Sequence, residues 1–227
     1  MIKKTILSFL LFYSLFVHAQ SFQPVDSLLF EEHFSTPDIS DWIIEKSPAD
    51  SEIVRVKDGR LLIDTYGGAT IWYKKELSGN IMISYKRKVI MSGGKNDRLS
   101  DLNQFWMATD SNPTAMFKRS GGFAEYDSLN MYYVGMGGNY NKTTRFRKYY
   151  AGDKKIIAEY ADSAHLLEAN KEYFIEIRMK GGLVEFKVDG IVFFSWQDLN
   201  PFTHGYFGIR STRSRQEIDD VKIYHLR

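Results

Sequence analysis

Apolar and polar residues alternate with a period of two along most of this chain, and that pattern predicts strands rather than helices. Leu28 to Phe34 reads as a first strand and Asp41 to Glu45 as a turn into a second. Glu52–Val56 and Arg60–Thr65 flank Lys57-Asp58-Gly59, an Asp-Gly hairpin turn. Ala69–Lys74 follows. Asn80–Met91 then points Ile81, Ile83 and Tyr85 inward and, after an expected change of phase, Val89 and Met91. Leu102–Ala108 is an aromatic strand, and one helical turn is expected between Asn112 and Ser120. Lys155–Tyr160, Tyr173–Met179, Val184–Val188, Ile191–Trp196, Tyr206–Ser211 and Asp220–His225 complete the strands. Lys180-Gly181-Gly182 and Asp189-Gly190 turn between three of them. No long stretch has a helical period. Many short strands with glycine turns predict an all-β jelly roll of two packed antiparallel sheets.

The stretch from Tyr132 to Tyr150 stands out. Gly135-Met136-Gly137-Gly138-Asn139-Tyr140-Asn141 carries three glycines, too many for a stable helix, and reads as an unusual tight turn between two strands. In the second strand Thr143, Arg145, Arg147 and Tyr149 share one face, and Thr144, Phe146, Lys148 and Tyr150 share the other. If Phe146 faces the core, the two arginines face away from it. There they meet water, a carboxylate or an anionic ligand, because burying unpaired guanidinium groups costs several kcal/mol.

Met1 to Ala19 has the order of a removable export signal: Lys3 and Lys4, an apolar run from Thr5 to Val17, and small residues Val17 and Ala19 before Gln20. The expected organisation is a signal peptide over 1–19 and one β domain over 20–227. No stable membrane span is expected in the mature protein, because the apolar run is short and no stop-transfer pattern follows. The chain has no cysteine, so an exported domain of this length must rest on its core rather than on disulfides. The formal net charge is +2, and two of the lysines leave with the signal. A nearly neutral domain argues against nucleic acid or membrane surfaces as partners and makes any attraction for anions local. Aromatic content of 15% suits both a β fold and a sugar-stacking surface.

The C-terminal third runs Glu172-Tyr173-Phe174-Ile175-Glu176-Ile177, Val184-Glu185-Phe186-Lys187-Val188-Asp189-Gly190, Gly205-Tyr206-Phe207-Gly208-Ile209-Arg210 and Ile218-Asp219-Asp220-Val221. With Phe30-Glu31-Glu32-His33-Phe34, it resembles the concanavalin A-like lectin/glucanase domains. The central Gly-Gly-Asn-Tyr-Asn-Lys-Thr-Thr-Arg-Phe-Arg-Lys-Tyr resembles an uncharacterised exported bacterial family of that superfamily, associated with polysaccharide degradation. The resemblance implies a bent jelly roll with ligand on its concave face and a polysaccharide or oligosaccharide partner. It does not choose among lectins, glycosidases and lyases.

The glucanase pattern Glu-x-Asp-x-x-Glu is absent. Glu172 and Glu176 read as solvated strand positions, while Glu125 and Asp127 are an acid pair expected on one strand face. No histidine spacing suggests a catalytic metal, and no cofactor is expected. A structural calcium near Asp26, Asp38 or Asp219 would suit the fold. The remaining chemistry suits β-elimination on an acidic glycan. Asn103, Gln104, Asn139, Asn141, Arg145 and Arg147 are candidates to neutralise a uronate carboxylate. Tyr132, Tyr133, Tyr149 and His204 are candidate acids or bases, and Trp106 is a candidate stacking platform. The alternatives are a noncatalytic carbohydrate-binding domain, a glycoside hydrolase without the usual acid motif, or a structural or protein-binding module. Mass spectrometry of the exported protein should find a mature N-terminus near Gln20, and a membrane-bound product retaining Met1 would contradict the export reading.

Overall fold

The computed structural model describes residues 25–47 and 53–227. The expected signal peptide, 1–19, lies outside the described residues, as does the start of the strand expected from Glu52. The described chain forms fourteen strands, paired antiparallel throughout. They are β1 (Val25–Glu32), β2 (Trp42–Lys46), β3 (Ile53–Lys57), β4 (Arg60–Tyr73), β5 (Leu77–Ser78), β6 (Ile81–Val89) and β7 (Leu102–Thr109). β8 (Asn130–Gly137), β9 (Thr143–Tyr150), β10 (Asp153–Tyr160), β11 (Glu172–Lys180), β12 (Leu183–Val188), β13 (Ile191–Gln197) and β14 (His204–Leu226) follow. Among the described residues no helix is long and apolar enough to cross a membrane.

Two strands are shared by both layers of this jelly roll. The first half of β14 pairs with β7 and with the second half of β4, which also pairs with β2. This front layer continues through β8 and β9 to β10. The second half of β14 pairs with β6 on one side and with β1 and the first half of β4 on the other. That back layer continues through β11 and β12 to β13. Pairs of separate strands were expected at 60–74 and again at 206–225. Each is one bent strand instead. The register of β14 on β4 shifts between Thr212 and Ser214, where Arg213 takes a left-handed φ of 47°. The alternation fades there because the buried positions around the bend are polar: Ser211, Ser214 and Gln216.

The main core lies between the layers and includes Ile71, Ile83, Trp106, Tyr132, Val134, Phe146, Ile177, Phe186, Phe194, Ile209 and Ile223. At its centre is a polar cluster. β6 does not change phase. Arg87 occupies the inward position between Tyr85 and Val89 and is fully buried. Its guanidinium donates to the carbonyls of Asn103 and Arg210, both at 2.8 Å, and to Gln216 Oε1 at 2.9 Å. Gln104 accepts from the Tyr85 hydroxyl at 3.0 Å and donates to the Val134 carbonyl at 2.8 Å. Burial pulls the Arg87 guanidinium down to about 10, opposed by Tyr85 and by the nearby Asp101. This one side chain spans the core and ties β7 to β14 on both sides of the bend.

Replacing Arg87 by alanine would leave two backbone carbonyls and the Gln216 amide without their buried donor. The expected cost is roughly 3–5 kcal/mol, read as a lower urea midpoint at unchanged slope. Lysine should not rescue it, since a point charge cannot serve acceptors spread around a planar fork. An Arg87→Ala protein as stable as wild type would remove this clamp from the account.

Candidate functional site

Alternation sends one set of side chains from the front layer away from the core, and register brings them into a row. Glu45, Thr70, Arg210, Asn103, Gly135, Arg145 and Glu159 are successive cross-strand partners over β2, β4, β14, β7, β8, β9 and β10. The neighbouring row runs Ile43, Trp72, Gly208, Phe105, Tyr133 and Arg147. These outer side chains form the face that the resemblance makes the ligand face.

Half of that face is covered. Residues 110–129, between β7 and β8, fold back as a strap with two short turns of helix, Pro113–Ala115 and Phe123–Tyr126. Trp72, Phe105, Met131, Tyr133 and Tyr149 of the sheet form a second apolar cluster with Tyr126 and Leu129 of the strap. Glu45, buried, anchors the strap: its carboxylate accepts from the Arg119 backbone amide at 2.7 Å, the Trp72 indole at 2.8 Å and the Tyr126 hydroxyl at 2.9 Å. Arg119 also pairs with Asp110. The strap touches the sheet where two glycines meet; a Cβ on Gly68 would lie 1.8 Å from the Gly121 carbonyl oxygen. The acid pair expected on a strand sits in this strap instead. Glu125 caps the turn through Ser120 and Gly122, and Asp127 pairs with Lys154.

Polar groups converge at the edge of the strap, most of them buried. Tyr133 folds over Gly135 and donates from its hydroxyl to Asn103 Oδ1 at 2.7 Å. Only glycine permits this, because a Cβ at 135 would lie 2.5 Å from the Tyr133 oxygen and 2.9 Å from Asn103 Oδ1. The Arg147 guanidinium lies 5.0 Å from the Tyr133 ring centroid. Arg145 pairs with Glu159. Arg210 is buried beneath Phe123, at 4.8 Å from its ring, and donates to the Gly121 carbonyl; its Nε has no partner. Burial pushes the Tyr133 hydroxyl up, and Arg147 opposes the shift. Burial also raises Tyr149, again against Arg147.

Of the residues singled out from the sequence, Asn103, Tyr133, Tyr149, Arg145 and Arg147 come together here. Their immediate neighbours cannot. Gln104 and Tyr132 point into the core, where the Tyr132 hydroxyl donates to Asp198 and Trp106 stacks on Tyr132 and Phe146. Asn139 and Asn141 belong to the turn, with Asn141 bonded to both the amide and the carbonyl of Leu167. His204 lies at the β5 edge, hydrogen-bonded to Glu76. Glu172 pairs with Arg60, and Glu176 with Arg178. Phe123 and Arg210 were missed. Arg210 stood in a run recognised only for its cadence, and nothing local marks Phe123 as lying above it.

Two other places collect polar groups. A cavity of about 840 Å3 at one end of the sandwich is lined by Lys148, Tyr150, Trp196, Asp198, Leu199 and Phe202, among others. Lys148 donates to Asp198 at 2.6 Å and to the Asn200 carbonyl at 2.7 Å, and Asp153 and Lys155 also line it. Convergent polar groups with an unpaired donor make the outer face the better candidate. Glu31, His33 and Asp220 also lie close enough to share an ion, but Lys222 bridges Glu31 and Asp220, and Lys86 pairs with Asp220. Of the positions considered for calcium, Asp38 accepts from the Ser40 amide and Asp219 from the Asp220 amide; Asp26 lies in β1.

A two-layer jelly roll with a polar outer face on its front sheet is the galectin-like, concanavalin A-like architecture, and solved structures match it. A protein of unknown function with a galectin-like fold from Bacillus subtilis superposes with a TM-score of 0.74 at 16% identity, covering 90% of this chain and 98% of that one. An endo-beta-1,3-glucanase from Pyrococcus furiosus gives 0.61 at 12% identity, covering 88% and 94%. The carbohydrate-binding module CBM66 from Bacillus subtilis gives 0.56 at 15% identity, covering 81% and 95%. No curated protein matches the chain. The chain belongs to the family described as a domain of unknown function, DUF6250, whose model matches residues 63–221. That span contains every outer-face residue named above except Ile43 and Glu45.

The contact over Gly135 gives a direct check on this geometry. Gly135→Ala should destabilise the protein by about 1–3 kcal/mol through the clash with Tyr133. In a Tyr133→Ala background the same change should cost much less, a non-additive cycle read by thermal or urea unfolding. Equal costs in both backgrounds would contradict the placement of Tyr133 over Gly135.

Proposed function

We propose that this is an exported carbohydrate-active protein whose outer face binds an acidic polysaccharide and cleaves it by β-elimination. The observation that carries the reading is the convergence of Asn103, Tyr133, Arg145 and Arg147 at the edge of the strap, with the two arginines half-buried and Asn103 and Tyr133 buried behind them. Carbohydrate ligands are supported by the named neighbours, a glucanase and a carbohydrate-binding module, although that likeness is one of fold. Export is supported by the basic, apolar, small-residue order of the first nineteen residues.

Elimination needs three events at one uronate. Its carboxylate must be neutralised so that the C5 proton becomes acidic. A base must take that proton while the electron pair forms the C4–C5 double bond. The glycosidic C4–O bond then breaks and its oxygen takes a proton. In this reading Arg147 and the Asn103 amide hold the carboxylate by charge and hydrogen bonding. Tyr133, bonded to Asn103 and facing Arg147, is the base and then the acid. Arg145, shared with Glu159, orients the neighbouring sugar. Phe123 offers an exposed ring beside them, and the Arg147 guanidinium lies against the Tyr133 ring.

One observation favours a noncatalytic, lectin-like reading: Tyr133 is only 4% exposed and its proton is held by Asn103. Turnover separates the two. With acidic oligosaccharides, the appearance of the ultraviolet absorbance of an unsaturated uronate supports elimination, and binding without products supports the lectin. Arg147→Ala should lose roughly 1.5–3 kcal/mol of charged hydrogen bonding to ligand while leaving the fold intact. Tyr133→Phe should abolish product and retain binding. Because burial raises Tyr133, its base form grows as pH rises, so the elimination rate should climb through the alkaline range rather than peak near neutrality. A wild type that ignores acidic glycans and binds neutral ones would remove the lyase mechanism.

A further inference from the structure

The outer face does not end at the arginine row. Two exposed tyrosines stand beside it, Tyr66 at the bend of β4 and Tyr140 in the turn between β8 and β9. Tyr66 is 53% exposed with the Arg213 guanidinium 5.1 Å from its ring centroid, and Tyr140 is 72% exposed with that of Arg98 at 5.4 Å. These two pairs form one surface. Arg98 donates from Nε to the Arg213 carbonyl at 2.9 Å and from Nη2 to the Thr212 carbonyl at 2.5 Å. Thr212 in turn lies two residues beyond Arg210 and pairs with Gly68. The ridge therefore begins where the row stops. Arg98 has Asp101 at 3.6 Å, whereas Arg213 forms no ion pair among the described residues.

The backbone supplies a second, independent observation. Asn139, Tyr140 and Asn141 are consecutive left-handed residues, with φ of 54°, 59° and 58°, and Arg213 is left-handed at 47°. Asparagine tolerates this conformation; tyrosine and arginine gain no local hydrogen bond from it. The surroundings impose it on Tyr140. Asn141 is bonded on both sides to Leu167, and the Lys142 amide closes the turn on the Gly138 carbonyl at 2.9 Å. The turn thus holds an aromatic ring out in solvent at a conformational cost, and core packing does not account for it. Strain that the surrounding structure over-determines is found at ligand contacts. Exposed aromatic rings beside cations match the chemistry of a sugar acid, which has an apolar ring face and a carboxylate.

We propose that this tyrosine–arginine ridge is a distal subsite for the acidic glycan, with sugar rings stacking on Tyr66 and Tyr140 and Arg213 meeting a carboxylate. The proposal rests on the reading of the arginine row as an acidic-glycan site and adds that the ligand is a chain long enough to reach past it.

The test is calorimetric titration of the full mature chain with trimers and with long oligomers of polygalacturonate and of alginate. Wild type should bind the long oligomers more tightly than the trimers. Tyr66→Ala/Tyr140→Ala should lose about tenfold on the long oligomers (about 1.4 kcal/mol) and nothing on the trimers. Tyr140→Gly provides a control for folding: it relaxes the left-handed strain, so its thermal midpoint should match or exceed wild type while its preference for long oligomers falls. A double variant that binds long oligomers like wild type overturns the ridge and leaves the row standing. So does a wild type without length preference, or an equal loss on trimers and long oligomers. A wild type that binds neither glycan at either length defeats the row and the ridge together.

Discussion

The bend in β14 is the constraint on which the rest depends, and the buried guanidinium of Arg87 holds it. A strand that leaves one sheet for the other must interrupt its ladder, and the freed polar groups must be satisfied inside the core. Arg87 reaches across from the back sheet and donates to the Arg210 carbonyl before the bend and to Gln216 after it. The same guanidinium bonds the Asn103 carbonyl. Two residues of the outer row are thus fixed from behind by a side chain that never reaches the surface. A charged residue with only neutral acceptors is a costly choice for a core. Its use here fits a structure in which backbone position behind the row matters more than the last increment of stability.

The outer face follows the same logic of shared polar groups. Glu45, with no ion pair among the described residues, accepts three donors and fastens the strap over one half of the sheet. The other half carries Arg145 and Arg147, of which, among the described residues, only Arg145 is matched by a carboxylate, Glu159. Strap and arginines together reduce a broad sheet face to a patch bounded by Phe123 on one side and β10 on the other. The absence of a glucanase acid motif agrees with this surface. It carries two arginines and the Tyr133 and Tyr149 hydroxyls.

Much of the fold was legible because its strands alternate. Phe146 inward and Arg145 and Arg147 outward followed from period two alone. So did the Asp58-Gly59 and Asp189-Gly190 turns, which take positive φ as hairpin turns require. The adjacent pairs Asn103–Gln104 and Tyr132–Tyr133 were not separable, because a shift of one residue exchanges their faces and only the packed sheet decides. Arg87 was hidden inside Lys86-Arg87-Lys88: a charged residue at an inward position read as a change of phase that the strand does not make. The strap was illegible for another reason. Its anchor, Glu45, lies more than sixty residues upstream, and its apolar contacts come from rings on four different strands.

The most direct measurement of the central claim is a crystal structure of the Tyr133→Phe protein with an oligouronide bound. The account predicts a uronate carboxylate against Arg147 and the Asn103 amide, with the sugar ring beside Phe123. An oligouronide seated instead in the cavity of Trp196 and Phe202, leaving the arginine row in water, would contradict it.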